Sequence, residues 1–226
     1  MESESLLACI PEEPTIDDCD GDQDLHDFKV KGREKLKFAI ELYEKAEWEL
    51  VKGEDGVNVY KTNSEDSDLH CVKRETEVET SPDKAMEATL NHDNWKECHP
   101  QIIKSETIEN LDETTRLISR EFKGNLVISD RDMSIVSETL ELTNGLKVDI
   151  SFSQEHELIP ATKAVRAELD FGLLIFKPLE DNKTQVVQVV RANPKGSIPT
   201  SMVNSSLARQ HASFLNLQKL INGKGE

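Results

Sequence analysis

Long apolar runs are missing from this 226-residue chain; none approaches the roughly 20 residues that a membrane-crossing helix needs. Bases are scarce too, with 27 Lys and Arg against 44 Asp and Glu, a formal net charge of −17. Nucleic-acid binding depends on clustered bases and is excluded on that ground. Permanent residence on an anionic membrane is disfavoured for the same reason. Aromatics reach only 5% and the hydrophobic fraction 36%, and much of that shortfall lies near the N-terminus. Cys9, Cys19, Cys71 and Cys98 have no compact spacing, so a disulfide framework is not expected. The opening M-E-S-E-S-L-L-A puts acids where a secretory signal carries bases, so the expectation is a cytoplasmic protein. Phosphate-loop, nucleophile-elbow and dinucleotide fingerprints are lacking. His92, Cys98 and His99 cluster without the second pair of ligands that a zinc site needs, so no cofactor is expected.

What is present divides in two. Residues 1 to about 30 hold ten acids, from Glu2 to Asp27, against the single base Lys29. So charged a segment offsets little ordering entropy, and the expectation is an acidic disordered tail. From Arg33 onward Leu36, Ile40 and Tyr43 recur at helical spacing to about Glu47. Alternating runs follow on both sides of a Gly-containing turn, from Trp48 to Lys61, and a third runs from Leu69 to Glu79. Ser81, Pro82 and Asp83 mark the start of a second helix, ending near Asn94. Six more alternating runs extend from Ile102 to Ala192, with turn signals at Asn144-Gly145 and Asp181-Asn182. Last comes a stripe of Val203, Leu207, Gln210, Phe214, Leu217 and Ile221.

Consecutive strands on hairpin-length links imply an α+β chain with one antiparallel, strongly curved sheet. The concave face needs a cover, and the C-terminal helix is long and apolar enough to supply it. A ligand would then sit between sheet and helix.

The stretch N-P-K-G-S-I-P-T-S-M-V-N (193–204) resembles the last strand-to-helix junction of START domains, the StAR-related lipid-transfer domains. Other segments are similar to that family in order and spacing: Trp95 after the second helix, G-N-L-V-I-S-D-R-D-M (124–133), V-R-A-E (165–168), Lys177-Pro178, and Phe214 in the closing helix. The resemblance implies the helix-grip fold, a curved antiparallel sheet wrapped on the long C-terminal helix around a lipid-binding tunnel. Residues 31–224 would form the START-like domain and 1–30 the tail. It further implies a monomeric, non-enzymatic carrier that holds one lipid (sterol, phospholipid, ceramide or another apolar molecule) and touches membranes transiently to exchange it. A protein partner would take the acidic tail. The rival readings are a lipid-sensing regulatory module and an enzyme, a cyclase or hydrolase, on a related scaffold.

In that reading the opening parts are the loop Gly124–Asp130 and the helix Pro199–Ile221, with Gly196 and Pro199 as hinge. Leu126, Val127 and Ile128 either dip into a bilayer or pack as a lid, and Met202 and Val203 lie near the same rim. Tunnel-facing positions are Val148, Ile150 and Phe152 on one strand, and Ala167, Leu169 and Phe171 or the alternate set on another. Leu207 and Phe214 come from the helix, and each of these residues is also readable as ordinary core. Buried charge is costly unless paired, which singles out Arg120, Arg131 with Asp132, and Arg166 with Glu168. Arg131–Asp132 is expected as a salt bridge fixing the loop, and Arg166 as a head-group contact or a surface pair. The cavity acid–arginine pair of cholesterol-binding members falls near Leu117 and Ser137, so it is missing, which argues against a sterol held that way.

Overall fold

The computed structural model describes residues 5–125 and 127–223. Its strands are β1 (Glu49–Glu54), β2 (Val57–Ser64), β3 (Ser67–Val78), β4 (Ile102–Asn110), β5 (Thr115–Phe122), β6 (Arg131–Glu141), β7 (Lys147–Ser153), β8 (Val165–Arg166), β9 (Glu168–Pro178) and β10 (Thr184–Asn193). The helices are α1 (Gln23–Lys45), α2 (Pro82–Leu90), α3 (Asn94–Cys98), α4 (Thr200–Ser205) and α5 (Gln210–Ile221). One sheet runs in the order β1-β2-β3-β10-β9-β7-β6-β5-β4, while β8 pairs in parallel with the start of β6. The β1–β2 and β9–β10 turns place Asp55-Gly56 and Asp181-Asn182 at positive φ, the conformation that matches the twist of tight hairpins. Register shifts at Thr62/Ser64, Ile102/Lys104, Thr107/Glu109 and Arg191/Ala192 act as bulges and bend the strands.

Both faces of the sheet are covered. On one, α1 lays Leu36, Ala39 and Ile40 over Val148, Ile150, Leu173, Ile175, Val187 and Val189. Asp22 starts this helix, its carboxylate accepting from the Leu25 N–H at 3.0 Å. At Gly32 the helix comes so close to the sheet that a Cβ would lie 3.2 Å from Glu138 Oε2. Next to it, Arg33 donates to that same carboxylate at 2.6 Å, and both side chains are buried. On the other face α5 sets Phe214 and Leu217 among Val57, Leu174, Phe176 and Val186. It touches β2 and β3 directly and reaches α3, which in turn touches β4 at the far edge. The bent sheet thus closes around a helical layer.

Two expectations change. Residues 5–30 are not a disordered tail: α1 begins at Gln23, and two 3₁₀ turns precede it at Leu6–Cys9 and Asp17–Cys19. Residues 1–4 lie outside the described residues. Cys9 is fully buried, Leu6, Leu7 and Ile10 pack with it against the α1 core, and Glu44 accepts from the Leu6 N–H at 2.6 Å. Several acids also have local tasks, with Asp18 capping a turn through Thr15 and Asp22 capping α1. The closing helix, for its part, is not continuous. A 3₁₀ turn at Leu207–Arg209 separates α4 from α5. There the Ser205 and Ser206 hydroxyls donate back to the carbonyls of Met202 and Val203, which competes with regular helix.

Burial pushes the Glu138 carboxyl upward despite Arg33. Arg33→Met leaves that acid enclosed without a partner and is expected to cost about 3–5 kcal/mol in denaturant unfolding at neutral pH. The loss should shrink as falling pH protonates Glu138, and Arg33→Met/Glu138→Met should recover most of it.

Candidate ligand cavity

Strand parity decides which residues can meet a ligand. Val148 and Ile150 on β7 face Ile175 and Leu173 on β9, all beneath α1, so the intervening Asp149 and Ser151 point the other way with Leu174 and Gly172. Carried across the sheet, the concave set includes Arg74 and Thr76 on β3, Val186, Gln188 and Val190 on β10, and Ile118 and Arg120 on β5. Val190 sits mid-strand between β3 and β9, next to Leu207, yet is only half-buried. Arg120 lies deep enough that burial pulls its guanidinium down to about 10, and it too is only half-buried. Both therefore keep some accessible surface on the concave side of the sheet.

The polar lining falls into two groups. In one, Asp149 accepts from Ser137 at 2.8 Å, from Thr139 at 3.1 Å and from Arg116 at 3.2 Å. Burial outweighs Arg116 and these hydroxyls and raises the Asp149 carboxyl from 3.8 to about 6. An interior acid–arginine pair therefore exists, which the sequence reading missed. Leu117 points beneath α1 towards Phe28 and Phe152, and its neighbour Arg116 occupies the concave side. In the other group, Arg74 donates to Gln188 and lies 5.3 Å from the Phe214 ring centroid. Arg120 reaches Ser105 at 3.3 Å and His92 at 3.5 Å, and stacks over Trp95 at 5.0 Å. The indole N–H of Trp95 is fixed on the Thr89 carbonyl at 2.8 Å.

A clasp forms the rim. The Arg131 guanidinium donates to the carbonyls of Ser129, Pro194 (3.1 Å) and Lys195 (3.2 Å), tying the 123–130 loop to the turn before α4. Lys195 and Gly196 are both left-handed, and a Cβ at Gly196 would stand 3.2 Å from that guanidinium. Pro199 occupies the N-cap position of α4. Asn204 then fastens α4 to β3, accepting from the His70 N–H and donating to the Asp68 carbonyl, each at 3.1 Å. Within the loop, the Asn125 side chain accepts from the N–H groups of Val127 and Ile128, and Val127 projects with 90% of its surface exposed. Leu126 lies outside the described residues.

The family model of the START domain matches residues 34–219. The chain belongs to the START domain family. No curated protein matches its sequence. Among solved structures it is similar to human StAR-related lipid transfer protein 5, with a TM-score of 0.72 and 18% identity over 87% of this chain and 99% of that one. Human STARD10 gives 0.72 and 20% over 85% and 83%. A STAR-related lipid transfer protein from Xanthomonas axonopodis gives 0.67 and 21% over 79% and 99%. At these identities the similarity carries the helix-grip fold of START domains.

Placed in this START domain, the expected site residues separate. Arg120, Ala167, Leu169, Leu207 and Phe214 gather on the concave side, where Ala167 and Leu169 pack with Met133 and Ile135. Val148, Ile150, Phe152 and Phe171 do not: they lie under α1, and the Phe171 ring meets Phe38 edge-on at 5.4 Å. Both faces of β7 and β9 are buried, so apolar content alone left the side undetermined. Met202 is exposed on α4 and Val203 half-buried there. The Arg131–Asp132 bridge does not form, because neighbours on a strand point to opposite sides. Asp132 instead accepts from Arg166 at 2.9 Å; Arg166 also reaches Glu155 at 2.9 Å, and Glu168 pairs with Lys195. Sequence reasoning missed Arg74, Gln188, Arg116 and Asp149. For Gln188 and Asp149 the signal was polarity between valines and isoleucines; Arg74 and Arg116 lie on strands with many other polar residues and carried none.

Asp149 has a folded-state value near 6, above its ordinary 3.8, so its contribution to stability is fully present below about pH 4 and lost as pH rises through about 6. Asp149→Asn is expected to remove that decline, giving a flatter melting temperature across this window in thermal melts. An unchanged slope would show that the carboxyl is not buried as described.

Proposed function

We propose that this START domain holds a single lipid between its concave sheet face and α4–α5, and exchanges it with membranes during transient contact, with no bond chemistry of its own. The observation that carries this reading is the charged and polar set Arg74, Gln188, Arg116, Asp149 and Arg120 on the concave face of a START fold, with Val190 half-buried beside Leu207 of the closing segment. A lipid leaving a bilayer exposes apolar chain at about 0.8 kcal/mol per methylene, a penalty that an apolar enclosure cancels. The polar groups at Arg74–Arg120 and Arg116–Asp149 give the ligand a head end. The lining around Ile118, Met133, Ile135 and Leu169 gives it an apolar end.

Exchange requires the enclosure to open, and the opening elements in this reading are α4 and the 123–130 loop, with Gly196 and Pro199 at the hinge. Val127, exposed at the loop tip, is the group that enters the bilayer surface, joined by Met202 and Val203 on α4. The Arg131 clasp makes loop and turn move together, and Asn204 holds the closed position. In this reading the carrier acts in the cytoplasm as a monomer; among the described residues no helix is long and apolar enough to cross a membrane. The acidic surface of the N-terminal segment is where a protein partner would meet it.

Lipid movement between donor and acceptor vesicles tests the reading directly. Stoichiometric transfer without a product supports the carrier, tight binding without exchange supports a sensor, and a chemically altered lipid sinks both. Val190→Trp is expected to reduce extraction by about tenfold or more without the 1–3 kcal/mol penalty that overpacking a filled core brings. A strongly destabilised variant would mean that no space exists there. Asn204→Ala should raise the rate of transfer while leaving the amount of lipid held per protein unchanged.

A further inference from the structure

Most enclosed arginines of this chain have something to neutralise or satisfy them. Arg33 has Glu138, Arg116 has Asp149, Arg166 has Asp132, Arg191 has Asp66 and Asp170, and Arg131 has three carbonyls. Arg74 and Arg120 differ. Among the described residues neither has a carboxylate within ion-pair distance. Burial lowers the pKa of both to about 10, and for Arg74 the neighbouring charge of Arg120 adds to the effect. Arg74 is 7% exposed and its Nε–H has no partner. A buried, unpaired guanidinium is costly, and two side by side are costlier still.

The neighbouring groups share one polarity. His92 uses Nδ1 opposite Arg120, and since a guanidinium can only donate, that nitrogen accepts. Its Nε2 therefore carries the proton and, like Arg74 Nε, is buried without a partner. His99 likewise uses Nδ1 to accept from the Gln101 N–H at 3.3 Å, which leaves its Nε2 as a donor. Burial and the nearby arginines keep both rings neutral, His92 near 3 and His99 near 4. Two positive charges and unsatisfied N–H donors converge here, and what this corner lacks is an acceptor with negative charge.

We propose that Arg74 and Arg120 together form the receiving site for an oxyanionic lipid head, a phosphate or a carboxylate, whose chains extend along the Ile118–Met133–Ile135 side of the cavity. This deepens the lipid-carrier reading and rests on it. Trp95 under Arg120 and Phe214 under Arg74 hold the guanidinium planes in place, and Gln188 and Ser105 orient them. The bound head supplies the missing charge, so ligand and arginines stabilise one another. Without it, the two charges weaken the fold.

The test uses the full chain and two lipids that differ only at the head, phosphatidic acid and diacylglycerol with the same acyl chains, offered in neutral vesicles. The wild-type protein is expected to extract phosphatidic acid in clear preference to diacylglycerol, with oleic acid as the carboxylate arm. Arg74→Met and Arg120→Met should each weaken capture of the anionic lipid by about tenfold or more, and lower its ratio to diacylglycerol capture by a similar factor. The lipid-free variants should melt at or above the wild-type temperature, because an unpaired buried charge has been removed; arginines that merely brace the fold would lower it. Equal extraction of both lipids, unaffected by either substitution, overturns the oxyanion site and leaves the carrier intact. Extraction of no lipid overturns both readings. Stabilisation by inorganic phosphate alone, with no lipid extracted, would assign the pair to a free anion and overturn the lipid-head assignment.

Discussion

A strand has two sides, and in the central strands of this sheet neither is left to water. Each central strand sends alternate residues towards the α1 face and towards the concave face, and the two destinations differ in kind. The α1 side closes as ordinary core, with aliphatic and aromatic groups in contact and the Arg33–Glu138 pair sealed where Gly32 lets the helix approach. The opposite side cannot close in the same way, because the same strands deliver Arg74, Gln188, Arg116, Asp149 and Arg120 there. One face is mainly apolar core, and the other combines the Phe214–Leu217 core with enclosed charge.

The buried charges therefore differ in meaning although they are chemically alike. An arginine facing a carboxylate is complete, and removing either partner chiefly affects folding. An arginine enclosed without one carries a desolvation cost that no protein carboxylate offsets. Arg131 is a third case: carbonyl oxygens satisfy it, and it joins two segments that are far apart in sequence. The rim is held by such polar ties, with Arg131 at the turn and Asn204 on α4, while the apolar seal lies further along, at Phe214 and Leu217. Local opening of α4 can thus precede any loss of the core.

Much of this was legible in the amino-acid order. Alternation located the strands, Asp-Asn and Asn-Gly marked hairpin turns, and the 193–204 stretch announced the junction whose Asn204 proves to bind the β3 backbone. Which face a strand residue takes was not legible for β7 and β9, since both faces are buried and an apolar residue suits either. The N-terminal segment misled through its charge: a few apolar groups around Cys9 suffice to dock it, and charge density says nothing of where those few can pack. The Arg131 clasp left no trace because its acceptors are backbone carbonyls, which every residue has. Arg116 was hidden by one position, the spacing that moves a side chain through the sheet, and Asp149 lies on the next strand, hydrogen-bonded to the expected position Ser137.

Trp95 is one of only two tryptophans in the chain, and its indole lies under the Arg120 guanidinium. The other, Trp48, packs with the α1 core and has Lys73 over its ring. A lipid head bound as proposed at Arg120 would change the field across the Trp95 ring, while Trp48 lies apart under α1. On the proposed reading, the intrinsic emission of Trp95 would report occupancy in solution without a label.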